Sequence, residues 1–155
     1  MQTHPWRHTP TGWGDAAVDG LLSGVVAGLL MASFLLAAGL LGGESWDWVL
    51  RQFDPGLAPT PLMGAVTHLA VSGVYGILFA SLWRPLARIW GRLPAWLAGL
   101  VYGVLLWLLA AAVTAARANA GGDWFQGIPP AQWAAAHLLY GLALGWLVSR
   151  LRNRS

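Results

Sequence analysis

Apolar positions in this chain gather into four long blocks, near residues 18–41, 62–83, 95–116 and 131–149. Each block holds about 20 mostly apolar residues, enough for a helix to cross a hydrocarbon core of ~30 Å. The pattern therefore predicts four transmembrane helices in a single membrane domain, residues 1–155. Pro61, Pro94 and Pro130 stand at the starts of the second, third and fourth blocks. Proline fits a first helical turn, where its missing N–H has no partner to lose. The first block is longer than the roughly 7–15 apolar residues of a signal peptide, and Asp15 and Asp19 stand where basic residues would be needed. It reads as a retained helix. Ahead of it, residues 1–17, broken by Pro5, Pro10, Gly12 and Gly14, read as an irregular arm.

The polar stretches between the blocks carry patterns of their own. Trp46, Val49, Leu50 and Phe53 recur at the spacing of one helix face, with Asp47, Arg51 and Asp54 off that stripe. A short outer helix lying flat at the membrane interface is expected there. Within the blocks, small residues recur every four positions: Gly20, Gly24 and Gly28 on helix 1, Ser72 and Gly76 on helix 2, Gly99 and Gly103 on helix 3, Gly141 and Gly145 on helix 4. Such ridges let helix backbones approach closely in lipid. They turn the faces that bear them toward protein.

A shift of 69 positions carries Pro61 onto Pro130, His68 onto His137, Ser72 onto Gly141 and Gly76 onto Gly145; a shift of 75 carries Gly24 onto Gly99 and Gly28 onto Gly103. Two helices per unit keep both halves in one orientation. The expected fold is an all-α membrane protein, a pseudo-twofold (2+2) bundle of four transmembrane helices with its axis along the membrane normal.

Composition changes this picture little: 57% of residues are hydrophobic and 10% charged, too little polar surface for a water-soluble fold. Charge adds an orientation. All nine basic residues are Arg. Arg84, Arg88 and Arg92 lie between helices 2 and 3, and Arg150, Arg152 and Arg154 in the C-terminal tail. Basic flanks stay cytoplasmic, so both termini of this multi-pass chain are expected in the cytoplasm. The same Arg residues are too scattered for a nucleic-acid surface. The eleven Trp suit aromatic belts, with Trp83, Trp90 and Trp96 flanking the inner surface and Trp124 an outer loop. Without Cys there is no disulfide, thiolate site or cysteine nucleophile.

Candidate chemistry narrows to one pair. His68 and His137 each follow a helix-starting Pro by seven residues, roughly 10 Å down the helix. They share a depth and continue into small-residue ridges, so both imidazoles are expected to face the bundle interior, each with a polar partner. An ionisable group inside a span is a functional candidate. Three readings stay open. Each imidazole is a structural group bonded to Ser72, Thr67, Tyr75, Tyr140 or a backbone carbonyl; or the pair ligates a haem iron or other metal; or it lines a proton or solute path. Two His without a third ligand are weak for zinc or copper. No phosphate-binding loop, nucleophile elbow or HExxH motif is present, and no span interior holds Asp, Glu, Lys or Arg.

The run Thr67–Gly76, the pair Tyr102-Gly103 and the run His137–Gly145 resemble a broad group of bacterial four-helix inner-membrane proteins of uncharacterised role, with His and Tyr-Gly on helices 2 and 4. The resemblance implies a bacterial cytoplasmic membrane and no particular activity. The function expected is non-catalytic: an accessory or assembly subunit packing in the lipid bilayer against other membrane proteins or copies of itself, as in a respiratory or energy-converting complex. The alternatives are a small-solute or proton transporter and a bis-His haem or metal-binding electron carrier. No cofactor is otherwise expected.

Overall fold

The computed structural model describes residues 12–56, 58–89, 93–119 and 127–152. Among them the regular structure is all helix: α1 (Trp13–Leu41), α2 (Trp46–Arg51), α3 (Pro61–Ile89), α4 (Ala95–Asn119) and α5 (Pro130–Arg152). The four long helices have the length and apolarity to cross a membrane. Most of the arm, together with Trp90, Arg92, Trp124 and Arg154, lies outside the described residues.

The helix starts follow from local chemistry. The Gly12 N–H donates to the Asp15 carboxylate at 2.8 Å. That acid also suits the positive end of the helix dipole. It starts α1 at Trp13, so residues 13–17 are helical and not part of an irregular arm. Thr60 caps α3, its hydroxyl accepting from the Met63 N–H at 3.2 Å. The Pro94 carbonyl accepts from the Leu97 and Ala98 N–H groups, and the Pro129 carbonyl from Trp133.

The ends run further than the apolar blocks. Helix α3 continues through Pro85 to Ile89, so Arg84 and Arg88 sit on its last turns instead of in a connection. Proline removes one backbone bond, and near a helix end its ring has few turns left to distort. Arg84 donates to the Gly12 carbonyl, tying the end of α3 to the start of α1. Trp83 is a second correction. It is buried beside Phe79, ring centroids 6.3 Å apart, and is no belt residue. At the other end Gly43 has φ of 89°, a conformation glycine takes without penalty, and turns the chain from α1 into α2.

Helix α2 packs on the bundle. Val49 and Phe53 are buried, whereas Trp46, the first residue of the expected stripe, is exposed. The Leu50 carbonyl lies against Gly64 of α3, and Val49 against Gly39 of α1. The segment after α2 is stapled by Asp54, whose carboxylate accepts from the Gly56 N–H at 2.9 Å and the Thr60 N–H at 2.8 Å.

Glycine sets the two closest seams. A Cβ built on Gly24 would lie 2.4 Å from the Ser72 carbonyl oxygen and 2.9 Å from the Gly76 Cα. One built on Gly99 would lie 2.1 Å from the Gly141 carbonyl oxygen and 3.0 Å from the Gly145 Cα. Gly20 and Gly76 oppose each other in the α1–α3 seam, as do Gly103 and Gly141 in the α4–α5 seam. The α1–α3 pair and the α4–α5 pair are thus alike inside. They do not meet alike. Helix α1 packs extensively on α5, while α3 and α4, which twofold symmetry would bring together to the same extent, touch sparsely. Small residues such as Ser23 and Ala27 of α1 and Ala136 of α5 are buried. Along the other junction α3 carries His68 and Tyr75, and α4 carries Leu106, Leu109 and Val113. These faces do not close on each other.

Candidate functional site

The space between α3 and α4 is a cavity of about 470 Å³. From α3 it is lined by Thr67, His68, Val71, Ser72 and Tyr75; from α4 by Leu106, Leu109, Ala110, Val113, Thr114 and Arg117; and from α5 by Trp133, His137 and Tyr140. Met31 of α1 forms part of the back, and Phe53 and Pro55 close the end below α2. Most of these surfaces are apolar. The polar atoms belong to few residues, and the two histidines are central among them.

Each imidazole reaches the cavity wall from a helix that begins seven residues earlier, at Pro61 or Pro130. Counted along their helices the two rings lie at one depth, roughly 10 Å from the helix start. Their hydrogen bonds differ. The His68 Nε2 donates across the α1–α3 seam to the Gly28 carbonyl at 2.9 Å. The His137 Nδ1 donates within α5 to the Trp133 carbonyl, also at 2.9 Å. Both acceptors are backbone carbonyls, so the hydroxyls of Ser72, Thr67, Tyr75 and Tyr140 are not the partners. The asymmetry has a local cause. Ser72 of α3 lies against Gly28, whereas Gly141 occupies the equivalent place in the second pair and lets the backbones close on each other. The Phe53 ring sits over His68 at 4.5 Å between centroids, and Trp133 meets His137 edge-on at 5.6 Å.

Two tyrosines tie the pairs together below the histidines. The Tyr140 hydroxyl donates to the Ser72 carbonyl at 2.7 Å, and Tyr102 donates to the Tyr75 carbonyl at 3.0 Å. Beneath this tie the bundle is filled by Phe79, Trp83 and Leu144, all buried. The cavity therefore stops near Tyr75 and Tyr140 and does not continue to the far end.

The cavity gathers His68, His137, Ser72, Tyr75 and Tyr140, all of them candidates from the sequence. Gly141 is different: it lies in the α4–α5 seam against Gly99 and Gly103 and lines no part of the cavity. Gly20, Gly24, Gly28, Gly76, Gly99, Gly103 and Gly145 lie against backbone or side-chain atoms of a neighbouring helix. Sequence reasoning missed Tyr102, Phe53 and Trp133 as parts of the site. Trp133 was findable, four residues before His137 and so on the same helix face. Tyr102 acts from α4 across a junction that no spacing reveals.

As metal ligands the pair is incomplete. Among the described residues no group of three His, Cys, Asp or Glu comes together. Axial ligation of one iron by both Nε2 atoms would require His68 to leave the Gly28 carbonyl.

No curated protein and no solved structure matches this chain. A family model matches residues 15–155, a span that takes in nearly all of α1 and every later helix. The chain thus belongs to DUF6789, a family of unknown function.

Proposed function

We propose that this protein is a non-catalytic membrane protein that takes a small, largely apolar molecule into the cavity between its two helix pairs. The observation that carries the reading is the cavity itself, about 470 Å³ with both imidazoles on its wall. Small-molecule pockets commonly hold roughly 300–1,000 Å³ and pair apolar walls with a few placed polar groups. Leu109 and Val113 line the cavity and are themselves exposed, beside the sparsely packed α3–α4 junction. A molecule dissolved in the bilayer would enter there. The tyrosine ties and packed residues below favour holding a molecule over passing it through, which places this reading ahead of transport. A binding protein of this kind serves as an accessory subunit, delivering or retaining its occupant beside other membrane proteins. Purification from membranes of the source cell in mild detergent, with identification of what accompanies the chain, names those neighbours.

The direct test is thermal unfolding in detergent micelles with durene, an apolar tetramethylbenzene. A ligand that binds only the folded state at 100 times its Kd stabilises it by about 2.7 kcal/mol. A rise in Tm for the native chain, reduced in Ala110→Trp, whose indole would take up part of the cavity, is the expected result. No rise with durene or with larger apolar rings removes the reading. Visible absorption of the purified protein reads the haem alternative separately.

A further inference from the structure

The two imidazoles on the cavity wall have one character in common. A neutral imidazole carries one N–H, and its other nitrogen accepts. A backbone carbonyl only accepts, so the His68 proton is on Nε2, facing Gly28, and the His137 proton is on Nδ1, facing Trp133. The nitrogens left over are Nδ1 of His68 and Nε2 of His137, neither with a partner among the described residues. Both are acceptors. The Tyr140 hydroxyl proton is likewise committed, to the Ser72 carbonyl. Aromatic side chains stand around this space: Phe53, Tyr75, Trp133 and Tyr140. Flat faces of this kind suit a ring, stacked or edge-on.

We propose that the occupant is a ring-bearing hydroxyl donor of the hydroquinone class, entering from the bilayer between α3 and α4 and donating its hydroxyls to His68 and His137. The inference rests on the binding role proposed above and names its ligand. A quinone of the same shape offers only carbonyl acceptors. To bind it, each imidazole would have to move its proton and give up its backbone carbonyl. The imidazole pair therefore favours the reduced form over the oxidised one by hydrogen-bond direction, with no electron transfer in the cavity.

Three probes of one shape separate the ideas: durohydroquinone with two hydroxyl donors, duroquinone with two acceptors, and durene with neither. Their affinities are measured by calorimetric titration of the detergent-solubilised native chain, under argon to keep the hydroquinone reduced. Two hydrogen bonds of ordinary net strength give a preference of about thirtyfold. Durohydroquinone is expected to bind about thirtyfold more tightly than either of the others, and His68→Phe and His137→Phe each to reduce that margin to about fivefold. Equal affinities for all three, or duroquinone the tightest, overturn the donor assignment while the apolar binding role stands. Failure of all three to bind removes that role and this inference together. The comparison of probes uses the native chain alone, so it decides the matter even where a histidine variant does not fold.

Discussion

At Gly76 there is no room for one carbon. A Cβ would fall 2.1 Å from the Gly20 carbonyl oxygen and 2.7 Å from the Gly24 Cα, and neither backbone atom can turn aside as a side chain would. Gly76→Ala must push α1 and α3 apart, so a loss of about 1–3 kcal/mol is expected, in the range of overpacked cores. Gly14, also helical, has nothing within 4 Å of the same built carbon. Gly14→Ala should leave stability unchanged or raise it by up to about 1 kcal/mol through helix propensity. Denaturant unfolding in mixed micelles compares the two, and equal losses would contradict the seam. Asp54 offers a different test. The N–H groups of Thr60 and Gly56 that point at its carboxylate hold its pKa below the usual carboxylate range. A pKa lower in the folded state gives stability above the unfolded value, lost as pH falls through the folded value. Hydrogen-exchange protection at Gly56 and Thr60 should therefore be higher in the native chain than in Asp54→Ala at neutral pH, with the difference closing in strong acid. A gap that widens on acidification would reverse the sign. The spacing of small residues announced Gly76 in the sequence. Nothing announced Asp54, because an acid that bonds backbone N–H groups two and six residues on looks like any surface acid until the turn is formed.

Elements show the same division between what is local and what is not. Helix starts were legible because Pro61, Pro94 and Pro130 act on their own first turns. The limits without a proline were not: α1 begins earlier than its apolar block, and α3 outlasts its own by several residues, since polar side chains on the outermost turns do not break a helix. The cross-helix ties are wholly tertiary. Tyr140 is buried and bonds the Ser72 carbonyl from α5; Tyr102 bonds the Tyr75 carbonyl from α4 and is only partly buried. Tyr140→Phe is expected to cost about 0.5–1.5 kcal/mol, the net worth of one such bond. Tyr102→Phe should cost less, since its hydrogen bond is longer and less enclosed, 3.0 Å against 2.7 Å. Unfolding titrations of both variants check the order, and a larger loss for Tyr102→Phe would place the main tie on the other helix.

For the whole molecule, four spans put the start of α1 and the end of α5 at one end, together with Arg84, Arg88 and Arg150. Arginine flanks are retained in the cytoplasm. A reporter fused after Ser155 should read cytoplasmic, and one inserted in the loop after Gly56 external; the opposite pair of signals would overturn this orientation. The number of spans was legible because apolar length is a property of contiguous residues. The cavity was not, although its histidines were. It exists because two helix pairs with similar internal seams meet tightly on one side and loosely on the other. That difference depends on which residues face across the junction, and no single helix carries the information.

Adjacency around the bundle runs α3, α1, α5, α4, with the first and last spans in the middle. This order has a consequence for biosynthesis. Helices α1 and α3 can pair as soon as both have left the ribosome. Helix α4 then has no close neighbour waiting: it touches α3 sparsely, and its own seam belongs to α5, which is made last. During that interval α4 stands alone in lipid, and it must be stable there without help. Its composition meets the demand. It is among the most apolar of the four spans and the least buried in the finished bundle. The helix that must wait is the one the bilayer can hold unaided, and only the arrival of α5 turns a lone span into the far wall of the cavity.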